Sequence, residues 1–351
     1  MAGESSRTAT WRSYLLGAIS LGSASCEFAR PAVLTDDACS GSAACAPVDA
    51  PGTTSPDAAT TCDPTGAFDG PVALVGFTMG LDQHAPRLSS DELAIYFDDT
   101  ASVAVTGPTR AAAQPLGIGV HPDDVFPSSL YVAQRSSVDQ PFGRATLLPN
   151  VNLVSNEINP SVTGDGLTLF FEYPRTASEG SRVYAATRAS RIVDFNAPSK
   201  VANVNSTDVT ASDAQPSVTA DGQELWFTST RAGGLGGYDI YRARSNGGSF
   251  VNAAGVLELN TTANDWLPTL SADKLTVYFS SDRPNGNGGL DIWTAHRSAA
   301  SDGFPPPTRV PELSSSADDL VGWVSPDNCR LYFSSNSTGR YQLYVATRHP
   351  R

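Results

Sequence analysis

Five copies of one nine-residue motif occur in this sequence, each with an aspartate-containing turn followed by three apolar residues that end in Phe. The copies align without gaps: SSDELAIYF (89–97), TGDGLTLFF (163–171), TADGQELWF (219–227), SADKLTVYF (271–279) and SPDNCRLYF (325–333). Their aspartates are Asp91, Asp165, Asp221, Asp273 and Asp327, separated by 74, 56, 52 and 54 residues. A period of this length indicates a repeat architecture in place of unrelated domains.

Each repeat also carries the strands of a small antiparallel sheet. Three consecutive apolar residues, as in 225–227, are typical of a strand buried on both faces. A loop rich in Gly, Ser and Asn then leads to a second run such as DIYRA (239–243), which is expected to be its partner. A small-residue strand such as PSVT (216–219) precedes the motif, and an outer strand such as GVLELN (255–260) follows the partner. Four-stranded units that must pack on both sides predict an all-β fold, a β-propeller closed radially.

The repeats resemble a known family, the WD40-like β-propeller (PD40) repeats of TolB-like bacterial envelope proteins. The similarity is closest at residues 216–243 and 268–295, which carry the Asp turn, the aromatic strand, an arginine, a Gly-rich turn and Asp-Ile. It is looser in the first copy, which is interrupted around residues 107–124, and in the last, where SSNSTGRY (334–341) lacks the arginine. The resemblance covers about residues 67–351. It implies the fold and an exported bacterial protein, but no particular activity.

The two ends of the repeat region predict how the ring closes. The last repeat stops at Ala346–Thr347, one strand short, whereas AFDGPVALVG (67–76) precedes the first complete repeat and looks like an outer strand. We expect this N-terminal strand to complete the last blade. Five blades result, or six if the insertion in the first repeat contains another.

The N-terminal segment has the layout of a secretory signal. Residues 1–26 place two arginines before a short apolar stretch and then small residues, as a signal peptide does. Cys26 is a candidate lipidation site of the bacterial lipoprotein type, although Ser23 replaces the usual Leu. We therefore expect export to the periplasm, or an outer-membrane lipid anchor, in a Gram-negative bacterium. A membrane is expected as a partner only through that anchor.

Residues 27–66 are rich in Ala, Ser, Thr, Pro, Asp and Gly and are predicted to form a disordered tether, leaving 67–351 for the propeller. The cysteines other than Cys26 number four: Cys39, Cys45, Cys62 and Cys329. An oxidising compartment could pair them, but the spacing does not fix the connectivity.

Charge narrows the class of partner. The chain has a net charge of -13 and no basic run, which disfavours nucleic acid. The expected partner is an envelope protein or a polysaccharide, bound by a monomer.

An acidic pattern supplies the candidate site. Acids lie near the start of the predicted inner strand of each blade: Asp82, Glu157, Asp213, Asp265 and Asp319, with Asp82 displaced by one position. Arginines follow the second strand in three blades, at Arg175, Arg231 and Arg283. One interpretation is a set of Arg–carboxylate bridges that fix loops at the channel mouth. The other is a ligand site where Ser337 and Ala101 replace the arginine, taking a basic group or a cation such as calcium. No cofactor is expected.

Two function classes remain open. The first is a non-catalytic binding propeller that uses its loop face and channel mouth. The second is a propeller glycosidase, which needs two carboxylates about 5–10 Å apart. Pairing with arginine lowers the pKa of a carboxyl group, whereas a general acid needs a raised pKa, so binding is favoured. The four histidines occupy unrelated repeat positions, and no hydrolase, zinc or phosphate-loop motif is present.

Overall fold

The fold is described from a computed structural model, which places residues 62–76, 82–100, 128–152, 156–173 and 179–349. The predicted signal peptide, Cys26, Cys39, Cys45, Ala101, Arg175 and residues 27–61 of the predicted tether lie outside the described residues.

The described residues form β-strands and one short 3-10 helix, Pro311–Leu313. The strands are β1 (Val72–Ala73), β2 (Gln83–Leu88), β3 (Ala94–Thr100), β4 (Ser128–Gln134), β5 (Thr146–Leu147), β6 (Ile158–Val162), β7 (Thr168–Tyr173), β8 (Arg182–Thr187), β9 (Ser199–Lys200), β10 (Asp213–Val218), β11 (Glu224–Ser229), β12 (Asp239–Asn246), β13 (Ser249–Gly255), β14 (Asp265–Leu270), β15 (Thr276–Ser281), β16 (Asp291–His296), β17 (Thr308–Arg309), β18 (Asp319–Val324), β19 (Arg330–Ser335) and β20 (Gln342–Thr347).

These strands make five four-stranded antiparallel sheets. Blades 1 to 4 are β2–β5, β6–β9, β10–β13 and β14–β17, each in chain order from the inner to the outer strand. Blade 5 has the order β18-β19-β20-β1. The molecule is a five-bladed β-propeller.

The ring closes through its N-terminal strand, as the sequence predicts. In β1, Val72 pairs with Val345 of β20 and Ala73 pairs with Tyr344, both antiparallel. The N-terminal strand β1 is therefore the outer strand of blade 5, whose other three strands come from the C-terminal repeat. The first and last strands of the described chain, β1 and β20, thus lie side by side in one sheet, and backbone hydrogen bonds between them close the ring.

The three apolar residues of each motif divide between two blade interfaces. In blade 3, Trp226 packs towards blade 4 in a cluster with Phe279, whereas Leu225 and Phe227 pack towards Phe170 of blade 2. This division follows from strand geometry, because successive side chains point to opposite faces. The middle residues of the five motifs are all buried: Tyr96, Phe170, Trp226, Tyr278 and Tyr332. A run that is apolar at every position therefore holds a blade to both neighbours.

The aspartate of each motif stabilises the turn between the inner and second strands. Asp221 accepts hydrogen bonds from Thr219 Oγ1 at 2.6 Å and from the Gln223 backbone N–H at 3.0 Å. Asp165 makes the same pair of contacts with Thr163 and Leu167, at 2.6 and 2.9 Å. The most recognisable part of the repeat is therefore structural. We call the face that carries these turns the turn face, and the opposite face the loop face.

The segment before β1 is attached to blade 5. Cys62 forms a disulfide with Cys329, and the Asp63 backbone N–H donates to the His349 carbonyl at 3.0 Å. The Arg348 guanidinium lies over the Phe68 ring, 4.0 Å from its centroid. Residues 62–66, which their composition assigns to the tether, are therefore held against blade 5, because composition does not reveal a covalent link. Within the described residues, no helix has the length and apolarity that a membrane span requires.

Candidate functional site

The loop face carries the predicted acids. It is formed by the loops that lead into each inner strand and by the loops between the second and third strands. Asp213, Asp265 and Asp319 are the first residues of β10, β14 and β18, and Glu157 directly precedes β6. All four side chains belong to residues that are at most 1% exposed, so the acids are buried beneath the loops.

Asp213 and Asp265 form the arginine bridges that the sequence predicts. Asp213 Oδ1 accepts hydrogen bonds from Ser229 Oγ at 2.7 Å and from Arg231 Nη2. Its Oδ2 accepts the Ser206 backbone N–H of the preceding loop at 2.6 Å. Each carboxylate oxygen therefore has fixed donors, and the bridge lies within a single blade.

Asp265 repeats this arrangement in blade 4. Oδ1 accepts hydrogen bonds from Ser281 Oγ at 2.6 Å and from Arg283 Nη2, while Oδ2 accepts the Thr261 N–H at 2.6 Å. These contacts fix the loop into β14 against the second strand of its own blade. The bridging interpretation of the acidic pattern is therefore confirmed for blades 3 and 4.

The arginines of these bridges are also held by aromatic rings. The Arg283 guanidinium lies 4.8 Å from the Phe279 ring centroid and 5.1 Å from that of Trp293. Its Nε donates to Ser281 Oγ at 3.0 Å and its Nη2 to the Leu259 carbonyl at 2.6 Å. The carboxylate, serine, carbonyl and aromatic pair together form what we call an arginine site.

Arg231 occupies the same kind of site in blade 3. Its guanidinium lies 5.1 Å from the centroid of Phe227 and 4.9 Å from that of Tyr241. Nε donates to Ser229 Oγ at 2.9 Å, and Nη2 donates to the Val204 carbonyl at 2.7 Å. Cation–π contact and charged hydrogen bonds therefore act on the same guanidinium in both blades.

Asp319 in blade 5 lacks the arginine because Ser337 stands at that position. Its Oδ2 accepts the Ser315 backbone N–H at 2.5 Å, and Ser335 hydrogen-bonds to the carboxyl group. Burial raises the pKa of Asp319 above its ordinary value. A cavity of about 100 Å³ lies beside it, bounded by Asp319, Phe333, Ser335, Ser337 and Tyr344, among others.

Blade 2 differs from this pattern. Glu157 is fully buried at the ring position, and its expected partner Arg175 lies outside the described residues. Arg182, at the start of the third strand, points to the next blade, where Nη1 lies 3.6 Å from Asp213 Oδ2. Asp213 is thus contacted by arginines from blades 2 and 3.

The assignment of Asp82 to the ring is wrong. Gln83 is the first residue of β2 and takes the ring position, where its Nε2 donates to Asp99 Oδ2 at 3.3 Å. Asp82 Oδ1 instead accepts the Tyr341 backbone N–H of blade 5 at 2.8 Å. Asn264 makes the corresponding contact with the N–H of Tyr238, at 3.1 Å. A shift of one residue changes the direction of a strand side chain, so Asp82 holds a neighbouring loop.

Sequence reasoning missed a polar network between the inner ends of the blades. The Asn159 backbone N–H donates to Asp98 Oδ1 at 3.0 Å, and its Nδ2 donates to Glu172 Oε2 at 2.8 Å. Glu172 also accepts the Gln215 backbone N–H at 3.3 Å. Burial raises the pKa of Glu172 to about 7. The signal was available, because Asp98 and Glu172 follow the motif Phe where the other blades have Thr or Ser.

Arg87 was also missed. It lies on the inner strand of blade 1, is 2% exposed, and donates from Nη1 to Ser217 Oγ of blade 3 at 3.0 Å. Because blades 1 and 3 are not neighbours, this contact crosses the propeller axis. Towards the turn face, a cavity of about 130 Å³ is lined by residues of all five blades, including Leu88, Val162 and Trp323.

The described residues contain no group of three or more His, Cys, Asp or Glu side chains arranged to hold a metal ion. The expectation of a calcium site therefore stays a prediction.

Comparison with known proteins found solved structures of low sequence identity and low structural similarity. No protein-family model and no curated protein matches this sequence. TolB from Acinetobacter baumannii is 18% identical with a TM-score of 0.39, over 77% of this chain and 56% of that chain. A GH43 β-xylosidase/α-arabinofuranosidase from a compost microbial metagenome is 11% identical with a TM-score of 0.49, over 80% and 95%. A Hadza microbial sialidase is 11% identical with a TM-score of 0.45, over 75% and 52%. The PD40 resemblance thus rests on the repeat motifs themselves.

Proposed function

We propose that this chain is a non-catalytic binding propeller of the cell envelope, which holds a protein or glycan ligand on its loop face. The observation that carries the proposal is the cavity beside Asp319. On the same face, the equivalent sites of blades 3 and 4 are filled by Arg231 and Arg283. Arginines thus fix the loops of two blades, whereas a third blade keeps a cavity lined by a carboxyl group and aromatic rings. Such a cavity is suited to a ligand group.

Exposed aliphatic side chains on the loop face support a macromolecular ligand. Leu235, in the loop between β11 and β12, is 52% exposed, and Val209, in the loop before β10, is 54% exposed. Both loops are anchored close to these residues: the Leu235 N–H donates to Asp239 Oδ2 at 2.9 Å, and the Val209 carbonyl accepts the Gly180 N–H at 2.8 Å. Apolar side chains on fixed loops are suited to binding because little ordering is needed.

The disulfide supports an exported location. Cys62 and Cys329 are 267 residues apart in sequence, so their bond fixes the start of the propeller to its last blade. Disulfides of this kind persist in the periplasm and other oxidising compartments. A location in the cell envelope, with or without a lipid on Cys26, is consistent with that chemistry.

The glycosidase alternative has one observation in its favour, the pair Asp98 and Glu172. A carboxylic acid with a raised pKa near a second acid is the pattern that glycosidases use. Here, however, Asp98 and Glu172 are 2% and 3% exposed and accept hydrogen bonds from the backbone of the next blade. Because a sugar could not reach these oxygens without separating the blades, we favour binding.

A binding measurement with one variant on each face tests the proposal. The full chain is immobilised, and envelope extracts and a polysaccharide panel are passed over it. Leu235→Asp should reduce retention of the ligand at least about tenfold, since it places a charge in an apolar contact. The matched control is Ile192→Asp, at a 94% exposed residue next to the turn face, which should bind as the wild type does. Equal loss in both variants, or no retained ligand at all, would refute loop-face binding.

The enzymatic alternative is tested on the same polysaccharide panel. Sugar release by the wild type that is abolished by Glu172→Gln would replace the binding proposal with hydrolysis. We expect no release from either protein.

A further inference from the structure

Blade 5 contains an arginine site that lacks the arginine of its own second strand. In blades 3 and 4 the arginine follows the second strand by two residues, so Arg283 contacts Ser281. In blade 5 the same step leads from Ser335 to Ser337, and the serine side chain is too short to reach Asp319 as arginine does. The other groups of the site, which are a carboxylate, a serine, a carbonyl and an aromatic pair, have counterparts in blade 5.

Each wall of the site has a counterpart in blade 5. Asp319 takes the place of Asp265, and Ser335 that of Ser281, as the strand pairing of Asp319 with Ser335 and of Asp265 with Ser281 shows. Leu313 stands six residues before Asp319, as Leu259 stands six before Asp265. The Leu259 carbonyl accepts Arg283 Nη2, and Leu313 lines the blade 5 cavity.

The aromatic pair is also preserved. Phe333 and Tyr344 stack with ring centroids 5.5 Å apart and planes at 24°. In blade 3, Phe227 and Tyr241 stack at 5.9 Å and 28° beneath the Arg231 guanidinium. In blade 5 the aromatic pair borders the cavity, at the place where the Arg231 guanidinium lies in blade 3.

The size and charge of the cavity fit a guanidinium group. Its volume of about 100 Å³ is well above the roughly 10–15 Å³ that a single water needs. Asp319 is 1% exposed, and Glu312 adds a second carboxylate at the rim. A planar cation is the group that satisfies a carboxylate, a hydroxyl, a carbonyl and two ring faces together.

We propose that the blade 5 cavity binds the guanidinium group of a ligand, such as an arginine side chain presented by a partner. The inference deepens the proposed function, since it names the chemical group that the loop face accepts. The guanidinium would donate to Asp319, Ser335 and the Leu313 carbonyl and lie against Phe333 and Tyr344. These are the contacts that Arg231 and Arg283 make within their own blades.

Ethylguanidinium is the probe for the purified full chain, with urea as the neutral control, and binding is followed by calorimetry and thermal melting. We expect saturable binding of ethylguanidinium in the millimolar range and none of urea. Asp319→Asn should weaken binding at least about tenfold through loss of a charged hydrogen-bond partner. Ser337→Arg should abolish binding and raise the melting temperature by about 2–4 °C, because the chain then fills its own site.

Arg283→Ala provides a positive control, because it opens the same kind of site in blade 4. Its lowered melting temperature should be partly restored by ethylguanidinium and unaffected by urea. If this variant is rescued while wild-type blade 5 does not bind the probe, the proposal is overturned.

Arg340, an exposed residue of the loop that contains Ser337, is the internal competitor for the site. If the probe binds only after Arg340→Ala, the cavity serves an arginine of the chain itself and the proposal is overturned. Failure of guanidinium binding in blade 5 is distinguishable from failure of ligand binding on the loop face. Retention of an envelope ligand by Ser337→Arg, with the Leu235→Asp effect intact, would leave loop-face binding standing and move it away from this cavity.

Discussion

At the scale of single residues, the loop face depends on charges that are buried and matched. Arg231 is 16% exposed in its side chain, and the Asp213 side chain is 0% exposed. Removing the Arg231 cation leaves the buried carboxylate with serine and backbone donors and with Arg182 of blade 2, whose Nη1 lies 3.6 Å from Oδ2. Such a carboxylate is costly because protein interiors solvate charge poorly.

Arg231→Ala should therefore destabilise the propeller by about 1–3 kcal/mol. Asp319→Asn should change the free energy of unfolding by less than about 0.5 kcal/mol, because asparagine keeps an oxygen for the Ser315 N–H and removes a buried charge. Chemical denaturation of both variants checks the difference. Equal losses would show that Asp319 is paired as Asp213 is.

The raised pKa of Glu172 predicts that the free energy of unfolding falls as the pH rises. The pKa of Glu172 is about 7 in the folded chain against an ordinary value of 4.5, so between these pH values the folded state binds a proton that the unfolded state does not. The stability that the folded chain gains by binding this proton is fully present below about pH 4.5 and is lost as the pH rises through about 7. The difference in unfolding free energy between the wild type and Glu172→Gln should change by on the order of 2–3 kcal/mol across this window. A flat difference would show that Glu172 titrates normally.

The bridges at Asp213 and Asp265 could be predicted from sequence because acid, serine and arginine recur at fixed spacing. Asp82 could not be placed, since a one-residue offset gives it a different direction and a different partner. The cavity required the structure, because a serine at position 337 shows that the arginine is missing but not that its site stays open. Cys62–Cys329 also required coordinates, since four cysteines allow several pairings.

At the scale of elements, ring closure depends on a strand of two residues, β1, and on the segment before it. Its pairing with β20 was predictable, because the last repeat ends one strand short and 67–76 looks like the strand it needs. The segment 62–66 was less predictable, because its composition matches the tether. The Cys62–Cys329 disulfide attaches this segment to blade 5, and the packing of Phe68 attaches the residues that follow it.

Removal of residues 1–60 should leave the melting temperature nearly unchanged, because Cys62, Phe68 and β1 all remain. Removal of residues 1–80 deletes the closing strand and the disulfide and exposes the edge of β20, which invites aggregation. Loss of the disulfide alone typically costs about 2–5 kcal/mol, so the longer truncation should be far less stable. Calorimetric melts of both proteins decide, and matching melts would contradict N-terminal closure.

At the scale of the whole molecule, the two faces of the propeller differ in what they offer. The turn face carries the aspartate turns, and their carboxylates also pair with cations of neighbouring blades, as Asp221 Oδ2 does with Lys274 Nζ at 2.8 Å. The loop face combines buried charge, exposed Val209 and Leu235, and the cavity beside Asp319. The net charge of -13 further suits this protein to a ligand that carries cationic groups.

Hydroxyl-radical footprinting of the full chain, with and without envelope extract, tests whether a ligand is held on the loop face. Oxidation of exposed aliphatic side chains reports on each face of the same molecule. We expect the extract to protect Val209 and Leu235 and to leave Ile192 as reactive as before. Protection of Ile192 with Val209 and Leu235 unchanged would contradict binding on the loop face.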